Sequence, residues 1–299
     1  MRILTRGDMD GLTSAVFLTM VENIREIRFA HPKDVQDGKV PCTEEDIVVN
    51  LPFVPGCGMW FDHHVTEEEK LDDVGEFRGS FAVADSTARV IYDFYKDKHA
   101  EFDKFKELLE ATDKVDAAHL TQEEITVPKG WVLLGLTLDP RTGLGPEFRK
   151  YFRWLVEYVK EVSLEKILQH REVAKRCDRV LKEQAEFKSF LKKYASADGP
   201  VIVTDLRGVK GVPVGNRFLV YTMFPESNVE MRIFAGLGDT TVVAVGKSIF
   251  NRTCNVNVGE LCSKFGGGGH ANAATCQLAP DIAEKAIEEI KETLKKNEG

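Results

Sequence analysis

The stretch that most constrains this chain is Trp60-Phe61-Asp62-His63-His64-Val65. Two bulky aromatics run, with no glycine or proline between, into an acid and two imidazoles. Trp60 and Phe61 read as the end of a buried strand, so Asp62, His63 and His64 fall where that strand opens into a loop. In an α/β sheet this carboxyl edge is where ligands are held. One imidazole there can bind a metal while the acid fixes its other ring nitrogen. The second is then free to face a substrate. A surface Asp beside two solvated histidines fits these residues equally well. Two further clusters tip the reading toward a site: Asp8-Met9-Asp10-Gly11 near the start, and Gly266-Gly267-Gly268-Gly269-His270 near the end.

The first of these lies between the apolar pair Ile3-Leu4 and a helical stretch whose apolar face is Leu12, Ala15, Val16, Leu18 and Val21. Acids favour a helix N-terminus, so Asp8 and Asp10 can be simple caps. Two carboxylates one residue apart on a glycine-flanked turn also suit Mg²⁺ or Mn²⁺ as hard oxygen ligands. Segment 24–29 and the β-branched run Ile47-Val48-Val49 read as further strands, with Asn50 at the ligand edge of the latter. Helices are expected over 86–95, where Ser86 is a plausible N-cap, and over 101–112. Strands alternating with helices imply an α/β sheet. Asp139 follows the apolar run Leu133–Leu138 and precedes Pro140. It reads either as a turn residue or as another edge ligand.

The 299 residues exceed the usual size of one core, so two domains are expected. Residues 148–194 are charged and helical in period. They place a helical connector over 156–197, between a parallel-sheet catalytic domain at 1–155 and a smaller α/β domain at 198–299. In the latter, segments 201–204, 218–221, 231–234 and 242–246 read as strands, and 258–265 and 282–294 as helices. One glycine suffices to cap a helix. Four followed by a histidine read either as a hinge or as backbone that must approach an anion.

A net charge of -8 argues against broad binding of long duplex nucleic acid, though not against a small phosphorylated ligand held by metal. The six scattered cysteines include no CxxC pair and read as reduced packing thiols. The first residues show no signal-peptide architecture, and no run of about 18 apolar residues could span a bilayer. A cytoplasmic protein is expected.

In this order, Asp-x-Asp-Gly, Asp-His-His, a later acid and a distant Gly-Gly-Gly-His resemble the DHH phosphoesterases over nearly the whole chain. That family includes RecJ-like exonucleases, oligoribonucleases that also dephosphorylate 3′-phosphoadenosine 5′-phosphate, cyclic-dinucleotide phosphodiesterases and exopolyphosphatase-like members. The resemblance implies hydrolysis of a phosphodiester or phosphomonoester in a cleft between domains, at two divalent ions, usually Mn²⁺, about 3.5–4 Å apart. Small substrates are implied: a short single-stranded oligonucleotide, 3′-phosphoadenosine 5′-phosphate, a cyclic dinucleotide or polyphosphate. Family members often form homodimers.

By the same resemblance Asp8 serves the first metal, and Asp10 and His63 the second. Asp139 best matches the later acid, with Asp116 as competitor. Asp62 would orient His63, and His64 would contact the scissile phosphate or leaving group. Gly267, Gly268, Gly269 and His270 would hold a terminal phosphate, assisted by Ser248 and Arg252. Two departures fall on the first metal. Leu4-Thr5-Arg6-Gly7 fills the region where the family carries a metal-binding histidine, and Asn50 replaces a bridging Asp. Mn²⁺, with Mg²⁺ as a substitute, is thus expected as one ion or two. Arg6 can act as a fixed positive charge in place of the missing ion. The alternative is a phospholigand-binding regulator that has lost one metal site.

Overall fold

The computed structural model describes residues 1–68, 70–139 and 143–298. The chain forms two compact units, Met1–Asp178 and Arg179–Gly299.

The first unit is built on a five-stranded parallel sheet of β1 (Arg2–Thr5), β2 (Glu26–Phe29), β3 (Asp46–Val49), β4 (Met59–Asp62) and β5 (Gly79–Phe81), in the order β2-β1-β3-β4-β5. Strand order reverses between β1 and β3, and in doubly wound sheets ligands bind at such a switch point. β3 is buried at every position, as its β-branched run requires of a strand covered on both faces. In β4 the two aromatics divide between the faces. Phe61 joins the larger core with Phe17, Ile91 and Phe102, while Trp60 joins a smaller one with Leu4, Val48 and Leu51.

Helix α1 (Met9–Val21) is buried from Met9 through Leu18, so it is wrapped by structure rather than laid on it. It packs against α2 (Thr87–Tyr95), α3 (Lys106–Asp116) and α4 (Pro146–Glu161). A buried hydrogen bond between the Thr13 and Thr112 hydroxyls, 2.7 Å, pins α1 to α3. Ser86 caps α2 by accepting from Arg89 N and donates to Asp113 of α3 at 2.6 Å. Three helices are thereby fixed to one another beside the sheet edge.

Several elements differ from the sequence reading. The apolar run before Asp139 is not strand-like but lies in a helix, Gly130–Leu136. A short apolar run cannot be assigned by periodicity alone, and here partial burial on a helix satisfied it. The segment read as a strand over 218–221 is likewise a helix, Leu219–Met223. Residues 148–194 form three helices, α4, Leu164–Gln169 and α5 (Arg171–Tyr194), the last running through the boundary between the units.

The second unit carries a six-stranded sheet of β6 (Ala195–Asp198), β7 (Val201–Asp205), β8 (Val229–Ala235), β9 (Thr241–Lys247), β10 (Gly268–His270) and β11 (Ala273–Leu278), ordered β10-β11-β9-β8-β7-β6. Only β7 and β8 pair in parallel. Its core joins Met231, Ile233, Val243 and Val245 to Leu261 of helix Val258–Ser263 and to Ile287, Ile290 and Leu294 of helix Ala283–Lys296. No described helix is long and apolar enough to cross a membrane.

Candidate metal centre

The loops leaving β1, β3 and β4, neighbours in the sheet, bring Arg6–Asp10, Asn50 and Asp62–His64 to one edge. Asp8 caps α1, accepting from Gly11 N at 3.0 Å. Gly11 is required here: a Cβ would lie 2.2 Å from the Arg6 carbonyl oxygen. That contact lets the helix start directly against the strand end.

Asp10, in the first turn, is buried and turned toward the start of α2, where it accepts from Thr87 N at 3.0 Å and Ala88 N at 2.8 Å. An anion at a helix N-terminus is held by free amides and by the helix dipole. Even so, burial first and the Asp116 charge second push its carboxyl up to about 7.

His63 is fixed by the backbone. Its Nδ1 lies 2.9 Å from the Ala84 carbonyl, which can only accept, so Nδ1 carries the proton and Nε2 presents a lone pair in the neutral ring. Nε2 lies 3.0 Å from Asp116 Oδ2 and 3.9 Å from Asp10 Oδ2. It is buried and has no hydrogen-bond partner of proper geometry. The ligand atoms of Asp10, His63 and Asp116 all lie within 4.8 Å of one another. Two carboxylates and an imidazole converging on one point are a donor set that fits Mn²⁺ or Mg²⁺. Burial works against a charged His63, yet Asp116 and Asp10 together raise its pKa to about 10. Burial pushes the Asp116 carboxyl up, but His63, with Arg6 and His64 behind it, holds it low.

Two of the expected placements meet a different geometry here. Asp116, and not Asp139, joins Asp10 and His63. It ends α3, three residues after Asp113, whose bonds to Ser86 and Arg89 set that helix face against α2. Asp62 does not orient His63. Its Oδ1 accepts from His64 Nδ1 at 2.8 Å, and it is fully buried beneath that ring. About a third of the His64 side chain is exposed. Its pKa is raised, with burial opposing and the Asp62 hydrogen bond prevailing.

Asp8 stands apart from this cluster. Its Oδ2 faces Arg6 Nε at 3.1 Å, and its Oδ1 accepts from Asn50 Nδ2 at 3.1 Å. Burial raises the Asp8 carboxyl against the pull of Arg6, and Asp8 raises the guanidinium in turn. Asn50 is buried in the left-handed region at φ 55°, which asparagine tolerates, and its Oδ1 is left without a partner.

In the second unit Gly268–His270 is an exposed strand, and among its neighbours the glycines have separate causes. Gly266 has φ 73°, and a Cβ on Gly267 would lie 2.3 Å from the Thr275 carbonyl oxygen. A Cβ on Gly268 would meet nothing within 4 Å. Ser248 is buried, its Oγ accepting from Phe250 N and Asn251 N, so it builds a turn. Arg252 is exposed, with Nε 3.1 Å from the Ile249 carbonyl.

The Ala84 carbonyl and the Thr87 and Ala88 amides are site groups that no side-chain motif announces. Only the Ser86 cap hinted at a helix start there.

Comparison with known proteins places the fold in a family. Residues 225–296 match the DHHA1 domain model. The pGpG-specific phosphodiesterase PggH from Vibrio cholerae is 35% identical, with a TM-score of 0.86 over 99% of both chains. The chain belongs to the DHH phosphoesterase family. At the level of fold alone it is similar to an exopolyphosphatase-related protein from Bacteroides fragilis, at 13% identity and TM-score 0.53 over 98% of this chain and 92% of the other. It is similar in the same sense to RecJ from Thermus thermophilus in complex with Mn²⁺, at 14% identity and TM-score 0.54 over 98% of this chain and 52% of that one. No curated protein matches the sequence significantly.

Proposed function

We propose that this phosphoesterase is metal-dependent and hydrolyses the phosphodiester of a short linear dinucleotide such as pGpG, yielding two mononucleotides. The observation that carries the metal is the convergence of His63 Nε2, Asp10 and Asp116, whose ligand atoms all lie within 4.8 Å of one another in a buried pocket of the sheet edge. The substrate class rests on 35% identity across the full length with a protein described as pGpG-specific.

Asp10, His63 and Asp116 would hold a divalent ion, Mn²⁺ or Mg²⁺. Such an ion supplies positive charge to the phosphoryl oxygens and acidifies water. The rest falls to side chains of this chain. The Thr87 and Ala88 amides hold Asp10 in place, and the Ala84 carbonyl keeps the His63 lone pair on Nε2. Asp62 fixes the proton of His64 Nδ1, which leaves Nε2 to work on the substrate. Protonated there, His64 gives its proton to the departing ribose oxygen as the bond to phosphorus breaks, while the attacking water bonds to phosphorus and releases a proton to solvent. The exposed Gly268–His270 segment binds phosphate through its backbone and imidazole.

The test is hydrolysis by the purified protein, with and without Mn²⁺, of pGpG, a cyclic dinucleotide, 3′-phosphoadenosine 5′-phosphate and polyphosphate. Mn²⁺-dependent cleavage of pGpG, lost in His63→Ala, is the expected result. Cleavage unaffected by chelation, or phospholigand binding without turnover, would overturn it.

A further inference from the structure

The donors around Asp8 carry a step that rests on the metal-dependent reading and goes past it. We infer that the centre takes one divalent ion, at Asp10, His63 and Asp116, and that the Arg6 guanidinium held against Asp8 supplies the second positive charge to the phosphoryl group.

Every hydrogen-bond and ion-pair partner of Asp8 is a donor. Arg6 Nε faces Oδ2 at 3.1 Å, while Gly11 N and Asn50 Nδ2 reach Oδ1 at 3.0 and 3.1 Å. Asn50 gives its Nδ2 to the carboxylate, and even turned about it would offer a cation only a neutral amide oxygen, a weaker bridge than a carboxylate. A cation on Asp8 would therefore face amide hydrogens and a guanidinium at contact distance. Asn50 is buried, held in the left-handed region and hydrogen-bonded from its own N to the Phe61 carbonyl, so the arrangement is a packed feature. Asp8 also lies outside the one three-ligand group among the described residues.

A guanidinium suits the role. It stays charged at any working pH and presents several N–H donors to phosphate oxygens. About a third of the Arg6 side chain is exposed beside its bond to Asp8, so part of it remains open to a ligand.

The test is the count of Mn²⁺ bound per chain at saturation by equilibrium dialysis, with the electron paramagnetic resonance spectrum of the bound ion. One ion per chain with a mononuclear signal is expected. Two ions per chain with an exchange-coupled signal overturn the inference, as does none. In Arg6→Met the count should stay at one while kcat toward pGpG falls by about 10²-fold, the cost of removing one preorganised donor. Unchanged kcat would overturn the role of Arg6. Asn50→Asp, which replaces the amide with a carboxylate beside Asp8, should add affinity for a second ion. No gain there would show that the Asn50 amide is not what closes the place. The wild-type count stands even where a variant fails to fold. One ion without pGpG cleavage would sink the proposed substrate and leave this inference intact. Two ions with cleavage would do the reverse.

Discussion

Asp62 Oδ1 lies 2.8 Å from His64 Nδ1, while the neighbouring His63 takes its orientation from the Ala84 carbonyl. The adjacent imidazoles, with ring centroids 4.4 Å apart, are thus aimed by different partners and divide the work between metal and substrate. Asp62→Asn should release His64 and leave His63 untouched. Proton transfer by a positioned group contributes about 10²–10⁴-fold, so kcat should fall by at least about 10²-fold. Mn²⁺ affinity should hold. Steady-state kinetics beside a Mn²⁺ titration decides it, and a parallel loss of affinity would return Asp62 to His63.

Asp116 and Asp139 separate by the same titration. Asp116 Oδ2 sits 3.0 Å from His63 Nε2, and Asp139 is no member of that group. Residues that merely support a metal ligand are worth about 10–100-fold in affinity, so removing a ligand should exceed about 100-fold. Asp116→Asn is expected to do so, and Asp139→Asn to leave Mn²⁺ binding near that of the parent.

These two acids also show what a one-dimensional reading can reach. The aromatics of β4 announced a buried strand and its ligand edge, because bulk next to charge has few other solutions in an α/β sheet. Asp8, Asp10 and His63 stood on local motifs and fell at that edge. Asp116 had no such mark. It reaches the centre through tertiary packing, the Thr13–Thr112 bond and the Asp113 ties that set α3 against α1 and α2. Asp139 gained its claim from a run of leucines that reads equally as strand or helix, and the chain chose helix. The Ala84 carbonyl and the Thr87 and Ala88 amides are backbone groups, which no residue type reveals.

Acid stability should depend on Asp46, at the opposite end of β3 from Asn50. It is fully buried and accepts from Arg2 Nε at 2.8 Å, Arg2 Nη2 at 2.7 Å and Thr43 N at 2.8 Å. Burial favours its neutral form, but these donors win and its pKa is lowered. A carboxyl depressed on folding stabilises fully above its unfolded value and loses that contribution as pH falls through the folded one. Unfolding titrations should therefore show stability falling below about pH 4, near the ordinary aspartate range. In Asp46→Asn that part of the slope should vanish, with about 2–3 kcal/mol lost at pH 7 from the charge-assisted bonds.

Gly11→Ala should destabilise without touching a ligand. The added methyl would sit 2.2 Å from the Arg6 carbonyl and 2.8 Å from Thr5 Oγ1, neither of which can retreat far from the end of β1. Overpacking of this kind costs about 1–3 kcal/mol. A lowered Tm is expected, together with weaker Mn²⁺ binding, since Asp10 on α1 moves with the helix start. An unchanged Tm would show that the strand–helix junction is looser than its contacts indicate.

In the glycine run, packing and ligand binding can be told apart. Gly267→Ala places a methyl 2.3 Å from the Thr275 carbonyl oxygen and 2.6 Å from Cys276 Cα, so it should lower Tm whatever the loop binds. Gly268→Ala meets nothing within 4 Å, and Gly268 sits in an exposed strand. Its Tm should stay near that of the parent. If the backbone there approaches a phosphate, the new methyl stands in the ligand's way, and KM for pGpG should rise several-fold with kcat little changed, the pattern of lost uniform binding. KM unchanged in a folded Gly268→Ala protein would leave packing against β11 as the whole reason for the glycines.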